Sequence, residues 1–356
     1  MPDIPKSLND ITTTWVSSHF DGQPLRGIEF ETIGEGAGMM STLAILHLDW
    51  QANPNLPSSL VVKLATQNET NLDVARRFKP FLKEVNYYRE LSGRTSAKSP
   101  KVYAAEIDEA HNFYLLMEDA SAYRMGDQVI GATKEECEFG TDFLVDLHTS
   151  FWNKLDGFEW IPNLSGSENA KNMALGCDAG WSQMLEHFGE FASDELLGLK
   201  QEYVTKIPAM QEKLGQPPVT LVHGDFRQDN LMFGEAPEHE RLLVIDFQGP
   251  QKGRGIYDLA FFLGQSASTE VRREHEANLV RRYVHGLKSR DVKDYSADQA
   301  WSDYRLGILY AWTLAVVIAG TLDPTNERGF AWMSQMIKRN SIAINDLDCL
   351  QVLETL

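Results

Sequence analysis

The chain has 356 residues, with 51 acidic side chains against 33 basic ones and a net charge of -18. That balance argues against nucleic acid, whose phosphates want Lys and Arg. It fits an acidic, soluble surface, and a neutral or cationic small molecule is compatible with it. Three scattered cysteines, Cys137, Cys177 and Cys349, offer neither a disulfide framework nor a zinc spacing and read as reduced packing thiols.

The N-terminus, "MPDIPKSLNDITTTWVSSHF", has no basic start and no apolar run, so a cytoplasmic protein without a signal peptide is expected. The length suggests two lobes. "RGIEFETIGEGAGMMSTLAILHLDW" alternates apolar and polar residues around a glycine turn, as a hairpin does. "NPNLP" is a turn and "SSLVVKLA" a third strand. "DVARRFKPFLKEVNYYREL" has helical spacing at Val74, Phe78, Phe81, Leu82, Val85 and Tyr88. "KVYAAEID" and "NFYLLMED" are two more strands. Beyond Asp119 long helices take over. "KEECEFGTDFLVDLHTSFW" puts Phe139, Phe143, Leu144, Leu147 and Phe151 on one face, and further helices cover roughly 180–213, 268–290, 296–322 and 328–345. Between them lie the strand-like pieces "VTLVHGD" with "NLMF", and "RLLVIDF". The stretch "GILYAWTLAVVIAG" is short for a membrane span, so a buried helix is expected. The expected division is therefore α+β: a sheet-rich lobe over 1–118 and a larger helical lobe over 119–356.

The charged stretch "LVHGDFRQDNLMF", Leu221 to Phe233, is the most informative part. Polar groups framed by apolar strands point to a working loop. His223, Gly224, Asp225 and Asn230 spell H-G-D-x-x-x-x-N, and Asp246 ends the apolar run "LLVID". A short hairpin would bring these ends to one edge. One carboxylate can take a proton from a hydroxyl, while a second carboxylate and an amide oxygen can hold Mg²⁺. That set suits phosphoryl transfer. Gly34, Gly36 and Gly38 lie between two strands, where bare backbone can approach phosphates or simply make a tight turn. Lys63 points from a strand and could pair with phosphate oxygens, and Glu84 on the next helix could hold Lys63.

"VHGDFRQDNLMF" followed by "VIDFQ" resembles the aminoglycoside phosphotransferase and choline kinase superfamily, which has the protein-kinase-like fold. Gln248 and "GRGIYDLAFFL" are similar to its ecdysteroid-kinase-like branch. The resemblance implies a small antiparallel-sheet N-lobe and a mostly helical C-lobe. It implies Asp225 as catalytic base, Asn230 and Asp246 as Mg²⁺ ligands, and Lys63 on ATP phosphates with Glu84 as its partner. The hinge would be "LLMEDA", with Met117 and Glu118 near adenine. His223 would be structural, and Asp258 a buried residue that holds the loop. Arg227 either reaches the transferring phosphate or makes a plain ion pair. Phe247 is followed by Gln248, unlike the protein-kinase D-F-G.

Asp258 lies only twelve positions after Asp246, with no A-P-E stretch between them, so the acceptor is expected to be a small alcohol and not a peptide. Trp160, Trp181, Trp301, Tyr304 and Trp312 are candidates either to line its pocket or to pack the core. Two other readings compete. A catalytically inactive nucleotide-binding regulator would be expected to lack one of Lys63, Asp225, Asn230 and Asp246. A hydrolytic carboxylate pair leaves the glycine loop and Lys63 unexplained. The sequence leaves the acceptor, the oligomeric state and ATP against GTP open.

Overall fold

The computed structural model describes residues 4–33, 41–51, 53 and 55–356, and only the backbone at 70, 71, 73 and 74. The chain forms two compact units, one of residues 1–94 with 99–123, the other of 95–98 with 124–356.

The first unit opens with helix α1 (Thr13–Ser18), capped by the Thr12 hydroxyl, which accepts from the Trp15 N–H. Strands β1 (Leu25–Ile33), β2 (Ser41–Trp50) and β3 (Ser59–Ala65) follow. Then come helices α2 (Glu69–Phe78) and α3 (Pro80–Asn86) and strands β4 (Val102–Ile107) and β5 (Phe113–Glu118). The strands make an antiparallel sheet in the order β1-β2-β3-β5-β4. Trp15, Val16 and Phe20 close one face of it over Leu46, Leu60, Val62, Leu64, Tyr114 and Leu116. Because side chains alternate along a strand, the residues between these point to the opposite face, and Lys63 is one of them.

The helix expected from Asp73 to Leu91 is interrupted. Lys79 adopts a left-handed conformation (φ 51°) and Pro80 starts α3 at its first position. Proline disfavours helical backbone in the residue before it and is well suited to a first turn. The final turn, Tyr87–Leu91, is a π-turn.

The second unit begins with the two-residue strand β6 (Arg124–Met125) and helix α4 (Lys134–Phe151), whose Thr133–Glu136 capping box satisfies its first turn. Phe143, Leu144, Leu147 and Phe151 of α4 are buried as expected, and Phe139 is half-buried. Helices α5 (Glu168–Phe188), α6 (Asp194–Gly198) and α7 (Lys200–Gly215) replace the single segment expected over 180–213. Side-chain caps from Ser167 and Ser193 start the first two of these. Strands β7 (Thr220–Val222), β8 (Leu231–Phe233), β9 (Leu242–Val244) and β10 (Gln251–Gly253) come next. The unit closes with α8 (Ile256–Gln265), α9 (Thr269–Ser289), α10 (Ala297–Thr321), α11 (Glu327–Asp346) and α12 (Cys349–Glu354).

All ten residues of α8 are buried, so it carries no amphipathic stripe to read. Helix α10 is long and apolar enough to cross a membrane, yet two thirds of its apolar window, 67%, is buried within the protein, as in a core helix. It packs on α5 through glycines: a Cβ on Gly320 would overlap the backbone of Gly180. The three cysteines are free and buried.

Candidate functional site

In the first unit, Lys63 sits on the central strand β3, paired with Leu43 on one side and Leu115 on the other. Its Nζ donates to both Glu84 carboxylate oxygens, at 2.9 and 2.8 Å. Both side chains are buried, at 9% and 2% exposure, and burying either charge without the other would be costly. The neighbouring Lys83 is also buried, which pushes its amine down to about 8. Met117 lies at the end of β5 opposite Val61 and Val102. The Glu118 N–H already donates to the Lys101 carbonyl at 2.8 Å, and its carboxylate accepts from the Lys101 N–H at 3.0 Å. That amide donor is therefore engaged in the sheet. Gly34, Gly36 and Gly38 lie outside the described residues.

In the second unit, β8 and β9 form the hairpin and place Asn230 and Asp246 at the same end. Leu231 faces Val244, and the Ile245 N–H donates to the Asn230 carbonyl at 3.1 Å. Strand β7, which leads into His223, pairs instead with β10. Asn230 Nδ2 donates to the Asp225 carbonyl at 2.9 Å and to Asp225 Oδ2 at 3.1 Å. Those bonds turn the amide oxygen, its only ligand atom, the other way. Asp246 holds a left-handed backbone (φ 68°), a conformation rare for residues other than Gly, Asn and Asp. Asp225 and Asp246 interact electrostatically. Burial raises the Asp225 carboxyl above the usual range, Arg227 opposes the rise, and Asp246 adds to it.

The loop is held from beneath. Asp258 accepts the His223 N–H at 2.7 Å and the Gly224 N–H at 3.0 Å. His223 Nδ1 accepts from the Asp225 N–H at 3.2 Å, so its Nε2, 3.2 Å from the Ile245 carbonyl, is the donor there. His148, not singled out from the sequence, lies 3.2 Å from Asp258 and 2.8 Å from the Tyr283 hydroxyl. It sits inside the amphipathic α4, where a lone histidine carries no motif. Gly224 (φ 82°) has no room for a side chain, since a Cβ would overlap the Gly249 carbonyl.

Arg227 makes ion pairs: its Nε donates to Asp225 at 3.3 Å and its Nη1 to Asp229 at 3.2 Å. Its guanidinium lies 5.1 Å from the Trp332 ring centroid. Arg328 extends the series, 3.6 Å from Asp229 and 3.4 Å from Asp127. Of the aromatics considered for an acceptor pocket, Trp181, Tyr304 and Trp312 are fully enclosed in the helical core, with Trp181 edge-on to Trp312. Trp301 stacks on Tyr304. Trp332, half-buried on α11, lies instead beside the loop that carries Asp225, against Arg227. A cavity of about 470 Å³ in this unit, lined by residues such as Lys98, Asp146 and Arg290, includes none of the candidate residues.

The donors fit Mg²⁺. Among the described residues no group of three or more His, Cys, Asp or Glu could hold a metal. Mg²⁺ does not need one, because it takes hard oxygens, commonly one or two carboxylates, and keeps waters for the rest. Asp246 and the amide oxygen of Asn230 offer that, next to a second carboxylate whose repulsion from Asp246 a divalent cation relieves.

The family model described as ecdysteroid kinase-like matches residues 35–294. Several solved structures share the fold. A choline kinase from Cryptosporidium parvum Iowa II is 11% identical, with 92% of each chain covered and a TM-score of 0.55. A Plasmodium vivax ethanolamine kinase is 11% identical over 96% of this chain and 89% of that one, with a TM-score of 0.53. An aminoglycoside-3'-phosphotransferase of type VIII is 18% identical over 80% and 94%, with a TM-score of 0.51. At these identities the likeness is one of fold, the protein-kinase-like mixture of antiparallel sheet and helices. A search of curated proteins gave no match.

Proposed function

The chain belongs to the ecdysteroid kinase-like family, and from that premise we propose that it is an ATP- and Mg²⁺-dependent phosphotransferase acting on the hydroxyl of a small molecule. The observation that carries the reading is the convergence on one hairpin end. Asp225 is bonded to Asn230 at 3.1 Å and electrostatically coupled to Asp246. The buried Lys63–Glu84 pair supports it, since it holds an amine ready for phosphate oxygens.

In this reading Asp225 is the base. The acceptor oxygen forms a bond to the γ-phosphorus, the bond from that phosphorus to the β,γ-bridging oxygen breaks, the hydroxyl proton passes to the Asp225 carboxylate, and ADP leaves. Asn230 and Asp246 would hold Mg²⁺, which would neutralise phosphate charge. Lys63 contacts phosphate oxygens and Glu84 fixes it. The sequence assigns Gly34, Gly36 and Gly38 to the phosphates, and the backbone around Met117 would meet the adenine. The short Asp246–Asp258 segment suits a small alcohol.

The test is a product screen. The protein is incubated with ATP, Mg²⁺ and a pooled alcohol library beside Asp225→Ala, and mass spectrometry seeks any compound that gains one phosphoryl group. A gain with the wild type alone is expected. ATP bound but no product from either protein would favour the regulator instead.

A further inference from the structure

Asp127, Arg328, Asp229, Arg227 and Asp225 form a series of alternating charge that runs from the turn after β6, through the start of α11, to the candidate base. Its spacings are 3.4, 3.6, 3.2 and 3.3 Å in that order. Each carboxylate beside Asp225 in this series therefore already has a guanidinium. We propose that Arg227 and Arg328 are built-in counter-ions that bias the acceptor side of Asp225 against cationic alcohols, and that Arg328 is the specificity-determining residue. This rests on the phosphotransferase reading above.

The two outer carboxylates are placed independently of their arginines. Asp127 Oδ1 accepts the Val129 and Ile130 N–H groups at 2.7 and 3.1 Å, and Asp229 Oδ1 accepts the Gln128 N–H at 2.8 Å. Without Arg328 they would stay where they are, with Arg227 the one arginine of the series still on Asp229. An ammonium group entering beside the base must now displace a guanidinium or remain uncompensated. Discrimination arises from that cost to the wrong partner, as much as from any contact with the right one. The two arginines differ in how they are held. Arg227 is half-buried, makes two shorter pairs and lies against Trp332. Arg328 is 62% exposed and makes the two longer pairs. Exposed pairs of that kind contribute little to folding, so Arg328 can be removed without loss of the fold.

The experiment compares phosphoryl transfer from ATP to matched alcohols, each amino alcohol beside its neutral carbon isostere. Choline and 3,3-dimethylbutanol are the smallest pair, and larger pairs come from the pooled library. The expected result is that the wild type favours the neutral member. Arg328→Met should shift the kcat/KM ratio toward the cationic member by about fivefold, in line with a partly exposed charge, and salt should erode the shift. Arg328→Lys should behave as the wild type, and Arg328→Met combined with Asp229→Asn should lose most of the gain. A wild type that prefers the cationic member, or an unchanged ratio in Arg328→Met, overturns the proposal while leaving the kinase reading intact. If no member of any pair gains a phosphoryl group beyond the level seen with Asp225→Ala, the kinase reading fails and the specificity assignment falls with it.

Discussion

At Asp225 two influences oppose each other: burial and Asp246 raise its carboxyl, while Arg227 draws it down. As the proposed base, Asp225 would act on the acceptor hydroxyl and not on the nucleotide. Asp225→Ala should therefore lower kcat by about 100- to 10,000-fold while calorimetric ATP affinity changes little. Asp246→Ala should abolish Mg²⁺-dependent turnover, and a variant with normal Mg²⁺ dependence would remove Asp246 from the metal site. Glu84→Ala takes the carboxylate from a buried amine and should cost about 3 kcal/mol of stability, read by urea unfolding, as well as nucleotide affinity. Lys83 gives a pH signature. Its folded value, about 8, lies below the ordinary 10.5. Below pH 8 both states are charged and folding bears the full cost of burial. Between those values the unfolded chain binds more protons, so stability rises with pH, and above them the cost is gone. Lys83→Met should thus stabilise by about 2 kcal/mol at pH 7 and by much less near pH 11 in thermal melts.

Among the elements, the loop from His223 to Asn230 and the α5–α10 packing both depend on glycine where nothing larger fits. Gly224→Ala should displace the loop from Gly249 and cut turnover and stability together. Gly320→Ala should force α5 and α10 apart at a cost of about 1–3 kcal/mol, with turnover lost only in proportion to unfolding. Elements with a strong pattern were readable in advance: α9, α10 and α11 lie within a residue or two of their expected spans, and β3, β4 and β5 fall on the segments read as strands. What escaped had local causes. Lys79–Pro80 divided a helix whose apolar spacing continues across the break. Ser193 restarted one inside a segment read as continuous. The uniformly buried α8 shows no period, and β7 found its partner in β10, a three-residue strand around Lys252 with no apolar run to announce it.

For the whole molecule, the fold and family were legible because H-G-D-x-x-x-x-N and V-I-D-F occur in order at a spacing that a single hairpin explains. The ion-pair series beside Asp225 was not, because it is built from residues far apart in sequence: Asp127, Asp229, Arg328 and Trp332 have no motif until α11 is packed. Residues 95–98 belong to the second unit although 99–123 return to the first. In the second unit this strap is tied down by the Val244 N–H on the Lys98 carbonyl at 3.0 Å and by the Ser150 hydroxyl on Thr95 at 3.1 Å. A single cut or crossover at residue 123 therefore strands four residues of the second unit with the wrong partner. Exchange of whole units, as in a chimera made at the bench, therefore requires three junctions, after residues 94, 98 and 123.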